Sequence, residues 1–294
     1  MGCASYKNTG VGSCDTKAPI AKGLIFAPKG AVIPTATADV MSFLEGKFKN
    51  NNIALRWFPM LGIEQNTSAG TEATIGTLAL GYSEKLRDAT IAYKFDFPFR
   101  ECKNKTIVGY DDWQGGVFVI TTDNRIMGKL VGTDLVAFDP RFVNAMTMPM
   151  GDGQNISLSS LSVDFGYAIE FAKSRGFVTI ADYDETAMAG IIDVELTSVG
   201  SGTGYIEVAV TEACGKANLY DVYSTQLNAS GVWVATTNAG APVVISAVAL
   251  VPAKKAFKLT MATGAVNIKL AAISVLEAAL IEGYESNTLT ATIV

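Results

Sequence analysis

Short runs of alternating apolar and polar residues, separated by turn residues, restrict the fold of this chain more than any other feature. The clearest alternation lies at 89–98, where Lys94 and Asp96 fall on one face of an extended strand. The other face carries the apolar side chains of Ile91, Tyr93, Phe95 and Phe97. Such a period of two predicts a strand that is buried on one side.

The elements around this strand favour a mainly β domain. Two β-rich runs within 116–131 flank Asp123 and Asn124, which tolerate positive φ, so this segment predicts a hairpin. Further strands are expected at 53–57, 73–80, 133–138 and 156–164. A helix is expected at 35–50, capped by Thr35 or Thr37 with Asp39 in its first turn, and another at 167–175. Residues 62–76 begin with a polar, glycine-rich stretch that predicts a long loop.

A change of composition near 184–190 predicts a domain boundary. Residues 188–294 carry 13 of the 51 charged side chains, so this part has its own, less charged character. Short β-like runs recur there at 190–196, 204–210, 218–223, 231–236, 242–251 and 256–261. Their length and spacing predict an all-β sandwich, whereas 264–283 suits either a helix or two buried strands.

The predicted architecture therefore has three parts. Residues 1–22 form an N-terminal arm, residues 23–187 a β-sandwich or barrel with one packed helix, and residues 188–294 a second all-β sandwich. The chain contains no stretch of about 20 apolar residues and no targeting segment, so we expect a soluble protein without a membrane partner.

The absence of histidine excludes several kinds of chemistry. Without it the chain cannot form a Ser-His-Asp triad, a Cys-His pair or a histidine-based metal site. Asp111 and Asp112 are adjacent and would point to opposite faces of a strand, and the acidic cluster at 182–185 suits a solvated linker better than a weak divalent-cation site. We therefore expect no catalytic residues, no cofactor and no metal.

The four cysteines do not follow a metal-binding spacing. Cys102 and Cys214 are isolated and are expected to be small buried residues. Cys3 and Cys14 could form a disulfide, or stay as thiols in a reducing compartment.

Residues 24–165 resemble the tail tube proteins of long-tailed phages. The resemblance rests on the hairpin 117–128, on the segment GTDLVAFDP at 132–140 and on LSSLSVDF at 158–165. It implies hexameric rings that stack into a virion tube, contacts with other tail proteins, and DNA that passes without specific binding. A C-terminal immunoglobulin-like domain is common on such virion proteins, and 190–294 fits that description.

The resemblance also assigns provisional roles to individual residues. Loop 62–76 and strand 89–98 are expected to contact neighbouring subunits, through Gly70, Thr71, Glu72, Tyr93 and Phe95. The net charge of −5, without a basic face, suits a lumen that does not hold DNA. The aspartates expected to line that lumen are Asp111, Asp112, Asp123 and Asp152.

Three other functions are compatible with the same sequence. The first is a different virion structural protein, such as a neck or head–tail ring protein or a capsid decoration protein. The second is a surface carbohydrate-binding module that uses the C-terminal sandwich. The third is an enzyme that relies on carboxylates alone.

Overall fold

The computed structural model describes residues 20–34, 36–77, 82–98, 106–146, 159–214, 217–281 and 283–294. These residues divide into two compact units: unit 1 contains 20–48 and 52–189, and unit 2 contains 49–51 and 190–294. Most of the predicted N-terminal arm, together with Cys3, Cys14, Cys102 and Asp152, lies outside the described residues. The last residues of that arm, Ala21 and Lys22, already belong to the first strand.

Unit 1 is mainly β, as predicted. Its elements are β1 (Ala21–Ala27), β2 (Val32–Ile33), α1 (Val40–Phe48), β3 (Phe58–Leu61), β4 (Gln65–Ser68), β5 (Thr74–Thr77), β6 (Ser83–Arg87), β7 (Thr90–Phe97), β8 (Gly116–Thr121), β9 (Arg125–Val131), β10 (Asp134–Val136), β11 (Phe142–Met146), β12 (Ser159–Tyr167), α2 (Ala168–Ser174) and β13 (Arg175–Thr179). Sheet A has the order β2-β10-β9-β8-β1-β3, with β13 also paired to β9, and sheet B has the order β11-β12-β7-β4.

The centre of sheet A is buried on both faces. In β1, Leu24 and Phe26 pack into the core that unites sheets A and B, whereas the alternate residues Ile25 and Ala27 pack into a second core with helix α1. Strand β8 divides its side chains between the two cores in the same way. Because both faces are covered, the sequences of these strands are nearly continuous runs of apolar residues. Unit 1 is therefore a sandwich of two sheets with a helix packed on the outside of one of them.

Helix α1 begins later than its sequence suggests. The carboxylate of Asp39 accepts a hydrogen bond from the Ser42 N–H at 2.9 Å, which is the geometry of an N-cap. The predicted cap Thr37 is therefore wrong, the alternative cap Thr35 lies outside the described residues, and Asp39 precedes the helix instead of lying in its first turn. Val40 and Phe48, which recur at helical spacing, are buried against sheet A.

Unit 2 is an all-β sandwich with immunoglobulin strand order. Its elements are β14 (Ile192–Gly202), β15 (Tyr205–Glu212), α3 (Tyr220–Leu227), β16 (Trp233–Thr237), β17 (Pro242–Val243), β18 (Ile245–Val251), β19 (Ala256–Met261), β20 (Gly264–Leu270), α4 (Ile273–Ala278), β21 (Tyr284–Ser286) and β22 (Leu289–Ile293). One sheet has the order β18-β19-β15-β14-β21 and the other β17-β16-β20-β22. Without the short β21, these are the D-E-B-A and C′-C-F-G sheets of an immunoglobulin fold.

A buried tryptophan lies where that fold places one. Trp233, at the start of β16, is 4% exposed, and its ring centroid lies 5.7 Å from that of Phe257. Its indole N–H donates to the carbonyl of Leu227 at 2.8 Å, so its polar atom is satisfied inside the core. The prediction of an immunoglobulin-like sandwich is confirmed.

Two predicted strands are wrong. Residues 53–57 form a turn in which Ile53 is 65% exposed, because the Asn52 side chain accepts the Ala54 N–H at 3.0 Å and closes the backbone locally. Residues 218–223 enter helix α3, where the Asn218 side chain accepts the Tyr220 N–H at 2.9 Å. The uncertain segment 264–283 contains one strand, β20, and one helix, α4.

Candidate assembly surface

The β5–β6 hairpin exposes large apolar side chains. Ile75 is 65% exposed and Leu86 is 67% exposed, and Tyr82, just before β6, is 69% exposed. Ile75 is paired with Lys85, whereas Leu86 shares the face of Gly76, so the two apolar side chains lie on opposite faces of the ribbon. An isolated two-stranded hairpin is marginally stable in water. This hairpin is therefore suited to being covered by another surface.

The hairpin joins the sandwich through a threonine pair. The hydroxyl oxygens of Thr71 and Thr90 lie 2.8 Å apart, the Thr71 N–H donates to the Thr90 hydroxyl at 3.0 Å, and the Thr90 N–H donates to the Thr71 carbonyl at 2.9 Å. Thr90 is the first residue of β7, which lies inside sheet B. Gly70, Thr71 and Glu72 are all exposed at this junction, where the sequence predicted contacts with neighbouring subunits.

Replacing Gly70 with alanine is expected to weaken this junction. An added Cβ would lie 2.2 Å from the Thr90 carbonyl oxygen, so the backbone of one segment would have to move. Overpacking of this kind costs about 1–3 kcal/mol in the free energy of unfolding. Urea denaturation followed by tryptophan fluorescence would measure the loss for unit 1.

Gly46 provides the matched control for that substitution. It lies in α1, where an added Cβ would meet no atom within 4 Å. Gly46→Ala is therefore expected to raise stability by up to about 1 kcal/mol, since alanine is the better helix former. An equal loss in both variants would contradict the steric explanation.

Tyr93 and Phe95 occupy a different environment from the one assigned to them. Phe95 is 1% exposed inside the core between the two sheets, and Tyr93 packs against the same core, with their ring centroids 6.1 Å apart. Their side chains stabilise unit 1 itself. Phe95 is therefore not available for a contact between subunits.

Asp111 and Asp112 close one edge of sheet B. The Asp111 carboxylate accepts the Ala145 N–H at 2.8 Å, and the Asp112 N–H donates to the Val143 carbonyl at 2.9 Å. Val143 and Ala145 belong to the edge strand β11, so outward-pointing backbone groups of that edge are already satisfied. No sequence pattern reveals this role, because the pairing joins residues more than 30 positions apart.

The opposite edge of sheet B is open. Within the described ranges, β4 pairs with β7 alone, and three of its four side chains are exposed. The strand has the sequence QNTS and carries no charge that would oppose pairing with another strand. Sequence reasoning missed this edge, since residues 65–68 lack apolar alternation and were expected to form a loop.

An open groove lies beside the Asp111–Asp112 segment. It has a volume of about 560 Å³, and its lining combines the buried Arg56 with Phe58 and Trp113 and with the two exposed carboxylates. The Trp113 indole N–H donates to the Gly116 carbonyl at 3.2 Å, which fixes the ring at the start of β8. The groove brings Asp111 and Asp112 together with one cation.

Asp123 lies apart from Asp111 and Asp112, the other predicted lumen residues that the structure describes. It follows β8, whereas Asp111 and Asp112 lie near the start of that strand, so roughly 17 Å of extended chain separates them. Asp123 forms an ion pair with Arg125, and hydrogen bonds from Arg125 and then Thr121 lower the pKa of its carboxyl. Its negative charge is therefore largely compensated locally.

Cys214 differs from its predicted state. It is exposed and forms part of a disulfide bond, so the expectation of a small buried thiol is wrong. It lies just after β15, in a turn that the apolar pattern of the strand does not reach.

The sequence matches no protein-family model and no curated protein at a significant level. In the part of the chain that the structure covers, His, Cys, Asp and Glu side chains form no group of three that could hold a metal ion. None of the helices in that part has the length and apolar content needed to cross a lipid bilayer.

Proposed function

We propose that this chain is a virion structural protein that assembles with copies of itself into stacked rings, forming the tube of a phage tail. The observation that carries the proposal is the β5–β6 hairpin, whose Ile75, Tyr82 and Leu86 side chains are each at least 65% exposed. Large apolar side chains exposed on both faces of one short ribbon suit a contact with another surface. A neighbouring subunit in the next ring would cover both faces of the hairpin.

The two edges of sheet B support assembly in one direction. Strand β4 offers an open edge, whereas the Asp111–Asp112 segment closes the β11 edge. Unlike edges favour head-to-tail contacts, in which different surfaces of two copies meet, and such contacts close into rings when the rotation permits. The resemblance to tail tube proteins suggests six copies in each ring and contacts with other tail proteins at the tube ends.

The charge distribution suits a conduit for DNA. The net charge of −5 opposes the binding of phosphate groups, so DNA would pass without being held. Asp111 and Asp112 are exposed and remain our candidates for the lumen wall. Asp123 is a weaker candidate, because Arg125 neutralises its carboxylate.

Electron microscopy of the purified chain tests the proposal directly. Negative-stain images beside light scattering should show hollow tubes or stacked rings. Single rings would favour a neck or head–tail ring protein, and a persistent monomer would favour a decoration protein or a carbohydrate-binding module.

The double variant Ile75→Lys/Leu86→Lys tests the role of the hairpin. Two cations on opposite faces of the ribbon would have to be desolvated in any apolar contact, so we expect loss of tubes and rings with the fold retained. Circular dichroism would verify the fold, and light scattering the assembly.

Val131→Lys/Phe142→Lys is the control for that variant. Val131 in β9 is 52% exposed and Phe142 in the edge strand β11 is 48% exposed, so this double substitution adds the same two charges outside the hairpin and its junction. Normal tubes from the hairpin variant, or equal loss of assembly in both variants, would argue against the hairpin as the stacking element.

A further inference from the structure

Strand β18 is the long free edge of unit 2. It forms the outer strand of the five-stranded sheet, and among the residues that the structure describes no strand pairs with its outer side. Two of the other sheet edges are protected, and the third, β22, is five residues long against seven for β18. Strand β21 is three residues long and contains Glu285, strand β17 is two residues long and begins with Pro242, and strand β22 is followed by Val294, whose carbonyl accepts the Gly204 N–H at 2.8 Å.

The β18 edge lacks the charges and prolines that usually prevent strand pairing. No charged residue occurs between Asp221 and Lys254, a stretch that contains the whole of β18. Its flank is apolar and open, since Val244 is 80% exposed and Leu250 is 39% exposed. Natural edge strands are commonly protected by charges, prolines or bulges within them. Here the bulge interrupts the pairing only between Ile245 and Ala247.

The strand beyond the bulge has the pattern needed to pair with itself. Val248 and Leu250 lie opposite the core residues Leu259 and Phe257 of β19, so both face the core side of the sheet. Ala249 lies opposite Lys258 and faces the other side, where it is exposed. Residues 247–251 are paired without interruption, and Ala249 is their middle residue.

We propose that β18 pairs in antiparallel orientation with β18 of a second copy of this chain, with Ala249 opposite Ala249 at a two-fold axis. In this register Val248 lies opposite Leu250 of the other copy, and Ala247 lies opposite Val251. Directly opposite residues share a face of an antiparallel sheet, so each copy would cover the partly exposed Leu250 of its partner. Pro252, which has no N–H, ends the pairing.

The second copy fits this edge because the edge is complementary to itself. Antiparallel pairing satisfies backbone donors and acceptors on both strands, and an uncharged strand brings no like charges together across a two-fold axis. The inference rests on unit 2 alone and goes beyond the tube, whose contacts we assign to unit 1.

Cysteine cross-linking of the full chain tests the register. Opposite residues of an antiparallel pair have Cα atoms about 4.5–5.5 Å apart, within the range of about 4.4–6.8 Å that a disulfide bridges. Ala249→Cys is therefore expected to give a covalent dimer, seen as doubled mass on a non-reducing denaturing gel. Ala247→Cys is the matched control: it lies on the same face, but its two copies would be roughly 13 Å apart along the strands.

The unmodified chain gives the background from its own cysteines. Cross-linking of Ala249→Cys no stronger than this background, or equal cross-linking of Ala247→Cys, would overturn the proposal. The same pair of variants, made together with Ile75→Lys/Leu86→Lys, separates this inference from the tube. A dimer that persists there supports pairing through unit 2, and a dimer that appears only when tubes form overturns it.

A charge placed on the edge gives an independent measurement. Ala249→Lys should abolish the dimer in sedimentation velocity, because two lysines would face each other at the axis. Ala239→Lys, in an exposed turn between β16 and β17, should leave the dimer intact. A dimer that survives Ala249→Lys would contradict the assignment of the interface to β18.

Discussion

Replacing Phe118 with alanine is expected to lower the free energy of unfolding of unit 1 by about 3–5 kcal/mol. Phe118 is fully buried in β8, and its ring is stacked on that of Trp57 with centroids 5.3 Å apart. It fills the core between sheet A and α1. Because sheet A and α1 enclose this core, neighbouring side chains cannot easily fill the space left by the ring. The resulting cavity therefore adds to the free energy lost with the buried ring.

Chemical denaturation and a surface control would measure that effect. Phe142→Ala removes the same ring from the edge strand β11, where Phe142 is 48% exposed. We expect this control to change stability by no more than about 0.5 kcal/mol, as is usual for surface positions. Similar losses in the two variants would mean that the core between sheet A and α1 is not packed as described.

Phe257→Ala is expected to have an effect of the same size in unit 2. Phe257 is fully buried in β19, where its ring centroid lies 5.7 Å from that of Trp233 and 5.5 Å from that of Tyr220. Loss of a buried phenylalanine ring costs about 3–5 kcal/mol. Hydrogen exchange read by mass spectrometry should therefore show faster exchange in β15 and β19.

Each core variant serves as the positional control for the other. Phe257→Ala should leave exchange in β1 and β8 unchanged, and Phe118→Ala should leave β15 and β19 unchanged, because each ring belongs to the core of one unit. Uniformly faster exchange over the whole chain in either variant would contradict two separate cores.

Much of the fold could be predicted from periodicity. Strand β7 carries Phe95 and Phe97 on the face that meets the core, as predicted, although Asp96 on its other face is also buried. Strands β8 and β9 form the expected hairpin, in which Asn124 has a φ of 58°. The misread segments share a cause. Asn52 and Asn218 each accept a backbone N–H two residues later, which turns an apolar stretch away from extended geometry. Apolar content alone does not reveal this competition.

The candidate site was less accessible to sequence reasoning. Alternation places Phe95 on one face of a strand, but it does not distinguish the core of a domain from a contact between subunits, and the structure places Phe95 in the core. The two edges of sheet B depend on partners distant in sequence, such as Asp111 for Ala145. The exposure of Ile75 and Leu86 likewise depends on which other elements pack against the hairpin, and the local sequence pattern does not show this.

The parallel pairing of β14 with β21 affects how the chain folds during its synthesis. This pairing joins Ile192 to Tyr284, so the first strand of unit 2 cannot complete its pairing until one of the last strands has been synthesised. By contrast, every strand pairing described for unit 1 can form once Thr179 has been synthesised. Domains generally fold as units, the N-terminal one first. A growing chain can therefore carry a finished unit 1, with its apolar hairpin exposed, while unit 2 is still being translated. Chains growing side by side on one messenger RNA would then present these hairpins to each other before any of them is complete.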